Sequence, residues 1–414
     1  MVGVRAWQAT SQPDTSQNIA GGVTTTVFLA TATIALPAVA STRSASTPTR
    51  APTSVPTQPP APMLPPLTAV EPAATAPADV APAVLMLSSA DLVERGLRRE
   101  RLDEDYQAAI DDYTAALEIE PRDADAYYFR GDLRIKMGDL DGGLLDFNQG
   151  QKLDPNPAKI AYHDARIQSS LGNEDEALKG YALAIQFDET FAQAYYSRGV
   201  AYTNRGETNA AILDYSRAVQ YKPDFDFAYY NRGNLLQKLG RLEDAVEDYS
   251  MALQIHPPYT DAWFNRGYTR IQLKEYQAAV DDFSQAIALR PDFPKAFCER
   301  GTAKIGLADY QGAVEDTSYA LELDPNWFCA NYTRGRAYHY LGEYQKAIED
   351  YTVYITAVPS EPNGYNNRGR SYVETGQAKA AVTDWKIAAD LYLRQGNTGA
   401  YEQVERAIKE WENQ

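Results

Sequence analysis

Arginine and aspartate side chains recur along the sequence at a constant spacing, and the chemistry they share is ion pairing. Seven arginines each precede a glycine, and each is followed sixteen residues later by an aspartate. The seven pairs are Arg130 with Asp146, Arg198 with Asp214, Arg232 with Asp248, Arg266 with Asp282, Arg300 with Asp316, Arg334 with Asp350, and Arg368 with Asp384. A guanidinium and a carboxylate can form two parallel hydrogen bonds. We therefore predict that the two members of each pair contact one another.

One step of this pattern lacks both residues. Asp164 stands where the arginine is expected, and Gly180 stands where the aspartate is expected. Their joint loss favours a pairing within each step. A pairing with the preceding step, such as Asp214 with Arg232, is the alternative, although it would set Asp146 against Asp164. Arginines that contact a ligand are the other interpretation.

No other set of side chains has the spacing of a catalytic or metal centre. The histidines, His163, His256 and His339, are far apart in sequence, with no acid or nucleophile at a telling spacing. The phosphate-binding, zinc-protease and serine-hydrolase motifs do not occur. Adjacent acids such as Asp111-Asp112 are typical of solvated helix faces. We predict a protein that is not an enzyme and that holds no cofactor or metal.

The elements that position these residues repeat every 34 residues. With the glycine after each arginine as the eighth position, nine units fill residues 90–395 without an insertion. They are 90–123, 124–157, 158–191, 192–225, 226–259, 260–293, 294–327, 328–361 and 362–395. Small residues at the eighth and twentieth positions predict two helices in close contact. The first unit, with Leu97 at its eighth position, departs from the pattern, and we interpret its charged first helix as an N-terminal cap.

These marks resemble the tetratricopeptide repeat family. The segment "DAWFNRGYTRIQLKEYQAAVDDFSQAIALRPDF" at 261–293 carries the family's Trp, Gly, Ala, Phe, Ala and Pro. The resemblance covers about three quarters of the chain, with departures at Thr317, Tyr354, Glu189 and Leu393. It implies an all-α, right-handed superhelical solenoid of antiparallel helix pairs over 85–395, with a concave groove. Residues 396–414 are predicted to form a C-terminal capping helix with an apolar stripe.

The resemblance also implies which residues line the groove, since the family uses mainly the second, fifth, ninth, twelfth and thirteenth positions. The predicted groove residues are Tyr128, Tyr162, Tyr196, Tyr230, Phe264 and Tyr332 at the fifth position, and Arg166, Asn234, Tyr268, Arg336 and Arg370 at the ninth. Tyrosine and arginine are favoured at binding hot spots. The alternative is that the fifth-position aromatics pack against neighbouring helices. Tyr127, Tyr195, Tyr229 and Trp263, one residue earlier, are interpreted as core.

Two further features of the groove bear on its ligand. Family members that clamp C-terminal carboxylates use lysine at the fifth position, and this chain has none there, so an elongated peptide is the better expectation. Cys298 and Cys329 would face the groove from adjacent helices. A disulfide between them is one interpretation, and two free or partly buried thiols are the other.

The first 84 residues differ in composition from the repeats. Residues 20–40 carry no charge and end in Ala38-Val39-Ala40, which resembles a signal peptidase site. A cleaved signal peptide within 1–40, an uncleaved signal anchor and a disordered tail are the three interpretations. Residues 41–84 are rich in Pro, Thr, Ala and Ser, which predicts a disordered linker. Ser88 and Asp91 predict a capping box at the first helix.

The net charge of the chain limits which classes of partner it can bind. The net charge is −17, and residues 1–84 hold three basic and three acidic residues, so the negative excess lies in the repeats. Such a body repels phosphate backbones and anionic membranes, and it favours basic or neutral partners. We predict an exported scaffold that binds a protein or peptide in its groove. A glycan-binding protein that uses the tyrosines is the alternative, and a cytoplasmic location follows if the N-terminal segment is only a disordered tail.

Overall fold

A computed structural model describes residues 87–100 and 105–412, and within these ranges the chain forms nineteen α-helices and no strand. The helices are α1 (Ser89–Arg98), α2 (Tyr106–Ile119), α3 (Ala124–Lys136), α4 (Leu140–Leu153), α5 (Pro157–Ser170), α6 (Glu174–Phe187), α7 (Ala192–Asn204), α8 (Thr208–Tyr221), α9 (Asp226–Lys238), α10 (Leu242–Ile255), α11 (Thr260–Gln272), α12 (Tyr276–Leu289), α13 (Pro294–Gly306), α14 (Tyr310–Leu323), α15 (Phe328–Tyr340), α16 (Tyr344–Ala357), α17 (Pro362–Glu374), α18 (Ala378–Arg394) and α19 (Thr398–Trp411). The predicted all-α solenoid is confirmed.

Each unit consists of an odd-numbered first helix and the even-numbered second helix that follows it. Within a unit the two helices pack closely, because glycine or alanine lies at their contact. At Gly233, for example, an added Cβ would lie 3.0 Å from the ring of Tyr249 on the second helix. A short turn joins the two helices and makes them antiparallel. Between α9 and α10, for example, the turn contains Gly240, whose φ of +76° ends the first helix.

The units stack into one array, because each second helix also packs on the first helix of the next unit. First helices of neighbouring units contact one another directly, as α3 does α5 and α13 does α15. The first helices therefore line the inner side of the array, where neighbours approach most closely. Clusters of alanine and aromatic side chains fill the space between units, such as the one around Phe227, Tyr259 and Ala262.

The first unit follows the repeat pattern more closely than the sequence indicated. Arg95 and Gly96 form a further Arg-Gly pair at the helix contact, and an added Cβ on Gly96 would lie 2.6 Å from Tyr113. Arg95 donates from Nε and Nη2 to Asp112 at 3.0 and 2.5 Å. Taking Leu97 as the eighth position was wrong, because the unit holds one extra residue between Gly96 and Ala109. Arg99 and Glu100 are π-helical, the conformation that accommodates such an insertion.

The capping box of α1 and the C-terminal capping helix are both present. Ser88 accepts from the backbone of Asp91 at 3.1 Å, and the Asp91 carboxylate accepts from the Ser88 backbone at 3.0 Å, which confirms the capping box. At the other end, α19 buries Val404 and Ile408 against α18. Among the described residues, no helix has the length and apolar character needed to cross a membrane. The predicted signal segment (1–40) and linker (41–84) lie outside the described residues.

Candidate functional site

Each of the seven arginines singled out in the sequence contacts the aspartate sixteen residues later. Arg232 donates from Nε and Nη2 to the two carboxylate oxygens of Asp248 at 2.7 and 2.6 Å. The same two-bond geometry joins Arg130 to Asp146, Arg198 to Asp214, Arg266 to Asp282, Arg300 to Asp316, Arg334 to Asp350 and Arg368 to Asp384. The hydrogen bond to Asp248 raises the pKa of Arg232 despite burial of the guanidinium. All seven aspartates are buried.

The alternative pairing with the preceding unit is not what the structure contains. Asp214 accepts from Arg198, whereas Arg232 reaches back to the hydroxyl of Ser216 at 3.0 Å. A Ser or Thr hydroxyl sixteen residues before the arginine serves the same role for Arg130, Arg266, Arg300, Arg334 and Arg368. Each of these guanidiniums therefore ties the second helix of its own unit to the second helix of the unit before. Arginine at this position holds the array together.

The aromatic residues three positions before the arginines were predicted to be core, and Tyr195, Tyr229 and Trp263 pack against a cluster of fully buried residues. Tyr127, Tyr195, Tyr229 and Trp263 are half-buried. Each lies beside the guanidinium of its unit, at 4.7 Å for Arg266 and Trp263 and 5.6 Å for Arg232 and Tyr229. The rings shield one side of the ion pairs from water and add a cation–π contact.

The fifth-position column is more buried than predicted. Tyr128, Tyr162 and Phe264 are only 1, 2 and 5% exposed, which leaves these side chains little surface for contact with a ligand in the groove. They pack between the helices of two units, as Tyr162 does against Phe191 at a ring-centroid distance of 5.0 Å. The first helix turns by about 100° per residue, so the fourth and fifth positions face different neighbours. The alternative weighed for this column, packing against neighbouring helices, is correct for these three residues.

Tyr196, Tyr230 and Tyr332 are half-buried, and their hydroxyls link successive units. Each hydroxyl accepts a hydrogen bond from the side-chain amide of the asparagine 35 residues later, and the donors are Asn231, Asn265 and Asn367 at 3.1, 3.0 and 3.0 Å. Burial raises the pKa of Tyr230 to about 12, so this hydroxyl is protonated at neutral pH. These tyrosines have a structural role between units.

The third unit (158–191) is built differently from the others. Its eighth position is Ala165, and an added Cβ on Gly180 would lie 2.7 Å from the Ala165 Cβ. The glycine that permits close helix packing has therefore moved from the first helix to the second. Because Gly180 occupies the aspartate's position, this unit has no acceptor there, and Asp164 in the arginine's position is exposed.

A different arginine is buried in this unit. Arg166 Nε lies 2.8 Å from Asp132 of the preceding unit, and Nη2 donates to Glu100 at 2.9 Å. Asp132 also lies 3.6 Å from Nδ1 of His163, whose ring stacks on Tyr128 at 4.0 Å. Burial lowers the pKa of His163, although Asp132 opposes this shift, so the ring is neutral at pH 7. Asp132 and Glu100 did not stand out in the sequence, because neither has a counterpart in the other units.

A cavity of about 380 Å³ opens beside Arg166 on the inner side of units three and four. It brings together three predicted groove residues, Tyr162, Arg166 and Tyr196, although Tyr162 contributes little surface. The sequence did not single out the remaining lining residues, which include Lys136, Ser169, Ser170, Ser197, Asn204 and Glu100. Hydroxyl, amide and charged groups thus face a space of the size used for side-chain or small-ligand recognition.

The other ninth-position residues are distributed along the same side. Tyr268 is 41% exposed, Arg336 is half-buried and Arg370 is exposed. Arg370 borders a second cavity with Asn363, Asn366, Tyr392 and residues of α19. Asn234 differs, because its side-chain oxygen accepts from Tyr249 at 2.8 Å and from Asn265 at 3.0 Å. We therefore assign Asn234 to the links between units rather than to a ligand.

Both cysteines are free thiols in this structure. Cys298 is buried, and its Sγ lies 3.7 Å from the hydroxyl of Thr333. Burial raises the pKa of Cys298 to about 12, which makes it a poor nucleophile. Cys329 is exposed. The geometry corresponds to the second interpretation of these residues, without a disulfide.

No group of three or more potential ligands with the arrangement of a metal site occurs in the described part of the chain. The histidines lie in different units. His339 Nδ1 is 2.9 Å from the hydroxyl of Ser371, and burial lowers the pKa of His256 and of His339. Their contacts are those of packed side chains.

Comparison with family models decides the family. Two models described as tetratricopeptide repeats match residues 227–259 and 260–293, and 103–158 and 298–362, and a TPR repeat model matches 199–240. The matched segments together cover more than half of the chain. The protein belongs to the tetratricopeptide repeat (TPR) family.

Several solved structures are similar to this TPR array. A tetratricopeptide repeat protein from Parabacteroides merdae shares 19% identity over 61% of this chain and 98% of its own, with a TM-score of 0.46. YrrB, a TPR protein with an unusual peptide-binding site, shares 21% identity over 46% of this chain and 97% of its own, with a TM-score of 0.37. The APC/C hetero-tetramer Cut9–Hcn1 shares 15% identity over 77% of this chain and 76% of its own, with a TM-score of 0.46. No curated protein matches the chain. TPR arrays typically act as non-enzymatic scaffolds for protein–protein interaction, which is the general role that the fold supports here.

Proposed function

We propose that this TPR protein is an exported scaffold that binds an extended segment of a partner protein along the inner side of its array. The observation that carries the proposal is the cavity beside Arg166 between units three and four. The third unit is one of two that depart from the repeat pattern, and in it Gly180 replaces the aspartate of the recurring ion pair while polar groups border an open space.

The inner surface provides several contact points at repeat spacing. Exposed or half-buried side chains from Asn204, Tyr268, Arg336 and Arg370 follow one another along the first helices. An extended peptide can contact such points in turn, and a surface held rigid by the ion pairs loses little entropy on binding. Aromatic and arginine side chains supply the strongest contacts in many interfaces.

The charge of the protein limits the partner. With a net charge of −17 concentrated in the repeats, the array favours partner segments that are basic or neutral overall. Nucleic acids and anionic membrane surfaces carry the wrong sign for this body.

The alternative function, glycan binding, requires tyrosine rings with a free face. The ring contacts of Tyr196 and Tyr230 favour a protein ligand instead. The Tyr196 ring packs on Phe225 at 4.8 Å, and the Tyr230 ring packs on Tyr259 at 4.7 Å. A sugar needs a free ring face for stacking, and these neighbours cover part of each ring.

The test is a peptide-display selection on the full chain, followed by binding measurements on matched variants. The inner-side variant carries Asn204→Ala, Tyr268→Ala and Arg370→Ala. The control carries Gln220→Ala, Tyr319→Ala and Arg217→Ala, which removes the same side-chain types from the second helices. Selected peptides should bind the wild type and the control equally and the inner-side variant at least tenfold more weakly. Equal loss in both variants, or loss in the control alone, would contradict the proposal.

The proposed export rests on residues 20–40, which are uncharged and end in an A-x-A sequence. Fractionation of cells that make the full chain, with sequencing of the mature N-terminus, tests it. A mature protein that begins at Ser41 supports a cleaved signal, and an intact chain in the membrane fraction supports an anchor. An intact chain in the cytoplasm would contradict export.

A further inference from the structure

The Glu100 carboxylate belongs to the first unit but contacts the third unit, beside the cavity on the inner side of the array. Glu100 follows α1 in the first unit, and it accepts a hydrogen bond from Arg166 of the third unit, 66 residues later. The Glu100 and Arg166 side chains are only 15 and 12% exposed. An ion pair that joins the first unit to the third differs from the seven pairs described above, which lie within one unit.

The position of Glu100 follows from the extra residue in the first unit. The insertion between Gly96 and Ala109 produces the π-helical turn at Arg99 and Glu100. Arg98, beside that turn, contacts Asp226 of the fifth unit at 3.3 Å. The end of α1 is thus turned towards the first helices of later units by two ion pairs.

Arg166 has the features of a carboxylate receptor. Burial works to lower its pKa, but Asp132 and Glu100 together raise it well above the usual range, so the guanidinium is charged. Asp132 neutralises it from one side, and Glu100 occupies Nη2. Nη1 is buried and has no hydrogen-bond partner among the described residues, and the same is true of Oε2 of Glu100. The pair therefore uses one of the two parallel bonds that a guanidinium and a carboxylate can form.

The surroundings suit a side chain of this length and polarity. The cavity of about 380 Å³ beside the pair is lined by Ser169, Ser170, Ser197 and Asn204, with Lys136 as a second cation. The aromatic rings of Phe129 and Tyr162 lie 5.3 and 6.0 Å from the Arg166 guanidinium. Removal of the Glu100 carboxylate would leave Nη1 and Nη2 of Arg166 without an acceptor among the described residues, with Asp132 beside Nε only.

We propose that Arg166 recognises a glutamate or aspartate side chain of the partner segment, and that Glu100 is an internal ligand which the partner displaces. This inference depends on the proposed function and names its chemistry: a segment that is neutral or basic overall and carries one acidic side chain for this cavity. Binding by the free protein is weakened by the fraction of molecules in which Glu100 occupies the site.

The experiment measures binding of blocked glutamate, N-acetyl-glutamate with an N-methylamide, to the full chain by ligand-detected NMR. Blocked glutamine is the neutral comparison, and N-acetylalanine, which carries only a main-chain carboxylate, represents a chain end. The variants are Glu100→Gln, Arg166→Gln and, as a charge-matched control on an exposed site of α2, Glu118→Gln.

Glu100→Gln should bind blocked glutamate about tenfold more tightly than the wild type and the Glu118→Gln control, if Glu100 occupies the site in nine molecules of ten. Blocked glutamine should not bind, and Arg166→Gln should not bind blocked glutamate. Arg166→Gln leaves Asp132 with less compensation and can unfold the unit. Blocked glutamate and blocked glutamine are therefore also compared on Glu100→Gln, and this comparison does not require Arg166→Gln to fold.

Equal affinity of wild type and Glu100→Gln, equal binding of the two blocked amino acids, or no binding to Glu100→Gln would overturn the inference. Binding of N-acetylalanine in place of blocked glutamate would overturn the assignment to a side chain. If selected peptides bind the inner side while blocked glutamate fails, only the carboxylate assignment fails. If no peptide depends on the inner side, the proposed function itself fails.

Discussion

The Cβ of Ala165 lies 2.7 Å from the point where a side chain on Gly180 would begin. Ala165 stands where most other units have glycine, and Gly180 stands where they have aspartate. The third unit therefore lacks the carboxylate that binds the arginine in the other units. Gly180→Ala should therefore destabilise the third unit by about 1–3 kcal/mol, as expected for overpacking of a tight contact. Urea unfolding measures the change.

Ala165→Gly is the matched second substitution for Gly180→Ala. It removes the Cβ that the new side chain meets, so the double variant should recover most of the lost stability despite about 1 kcal/mol for glycine within a helix. Additive losses in the double variant would show that the two positions do not contact one another as described.

The ion pair between Arg232 and Asp248 should show strong coupling. Arg232→Leu leaves a buried carboxylate and Asp248→Leu leaves a buried guanidinium, and each single change should cost about 3–5 kcal/mol. The double variant should cost clearly less than the sum, because neither charge is then left alone. Arg217→Leu, an exposed arginine on α8, should change stability by less than about 0.5 kcal/mol. A coupling energy near zero in the double-mutant cycle would contradict the structural role assigned to these arginines.

Two turns between helices are strained. Lys274 and Ala308 have φ of +63° and +62°, where most other units have glycine. A non-glycine residue in this region costs about 1–2 kcal/mol. Ala308→Gly should therefore stabilise the protein by about 1 kcal/mol, and Gly240→Ala should destabilise it by a similar amount. Thermal unfolding of both variants provides the check, and a loss of stability in Ala308→Gly would count against the turn geometry.

Glu299 should make stability depend on pH. In other units this position is an asparagine, such as Asn231 or Asn265, that donates to a tyrosine hydroxyl of the preceding unit. Glu299 has no such hydroxyl to contact, because Phe264 replaces the tyrosine. Burial raises the pKa of Glu299 above its ordinary value of 4.5, and Lys295 opposes the shift only in part. The folded state thus favours the protonated acid, and this contribution, present below pH 4.5, is lost as pH rises through the folded pKa.

Glu299→Gln should therefore be more stable than the wild type at pH 7, and the difference should narrow as the pH falls towards 4.5. Urea unfolding of both proteins across this range measures it. Glu322→Gln, an exposed change on α14, is the control and should give no such trend. A difference that does not vary with pH would contradict the desolvation assigned to this half-buried carboxyl.

The sequence predicted the repeats because their period and small residues determine helix packing. It did not reveal Arg95-Gly96, because one inserted residue moves this pair out of the period. Tyr128 is more buried and Tyr127 less buried than the sequence indicated, since adjacent positions of a helix face different neighbours and the family resemblance fixed their orientation only approximately. The contact of Glu100 with Arg166 spans 66 residues and joins two units that both depart from the pattern, so periodicity could not predict it.

The central claim is that the inner side of the array binds a partner segment. Photo-crosslinking tests it most directly, with a selected peptide that carries a photoreactive group and mass-spectrometric mapping of the attachment sites on the full chain. We predict attachment to the first helices, α5 and α7 around Arg166 and α17 around Arg370. Attachment confined to second helices such as α6 and α8 would contradict the account.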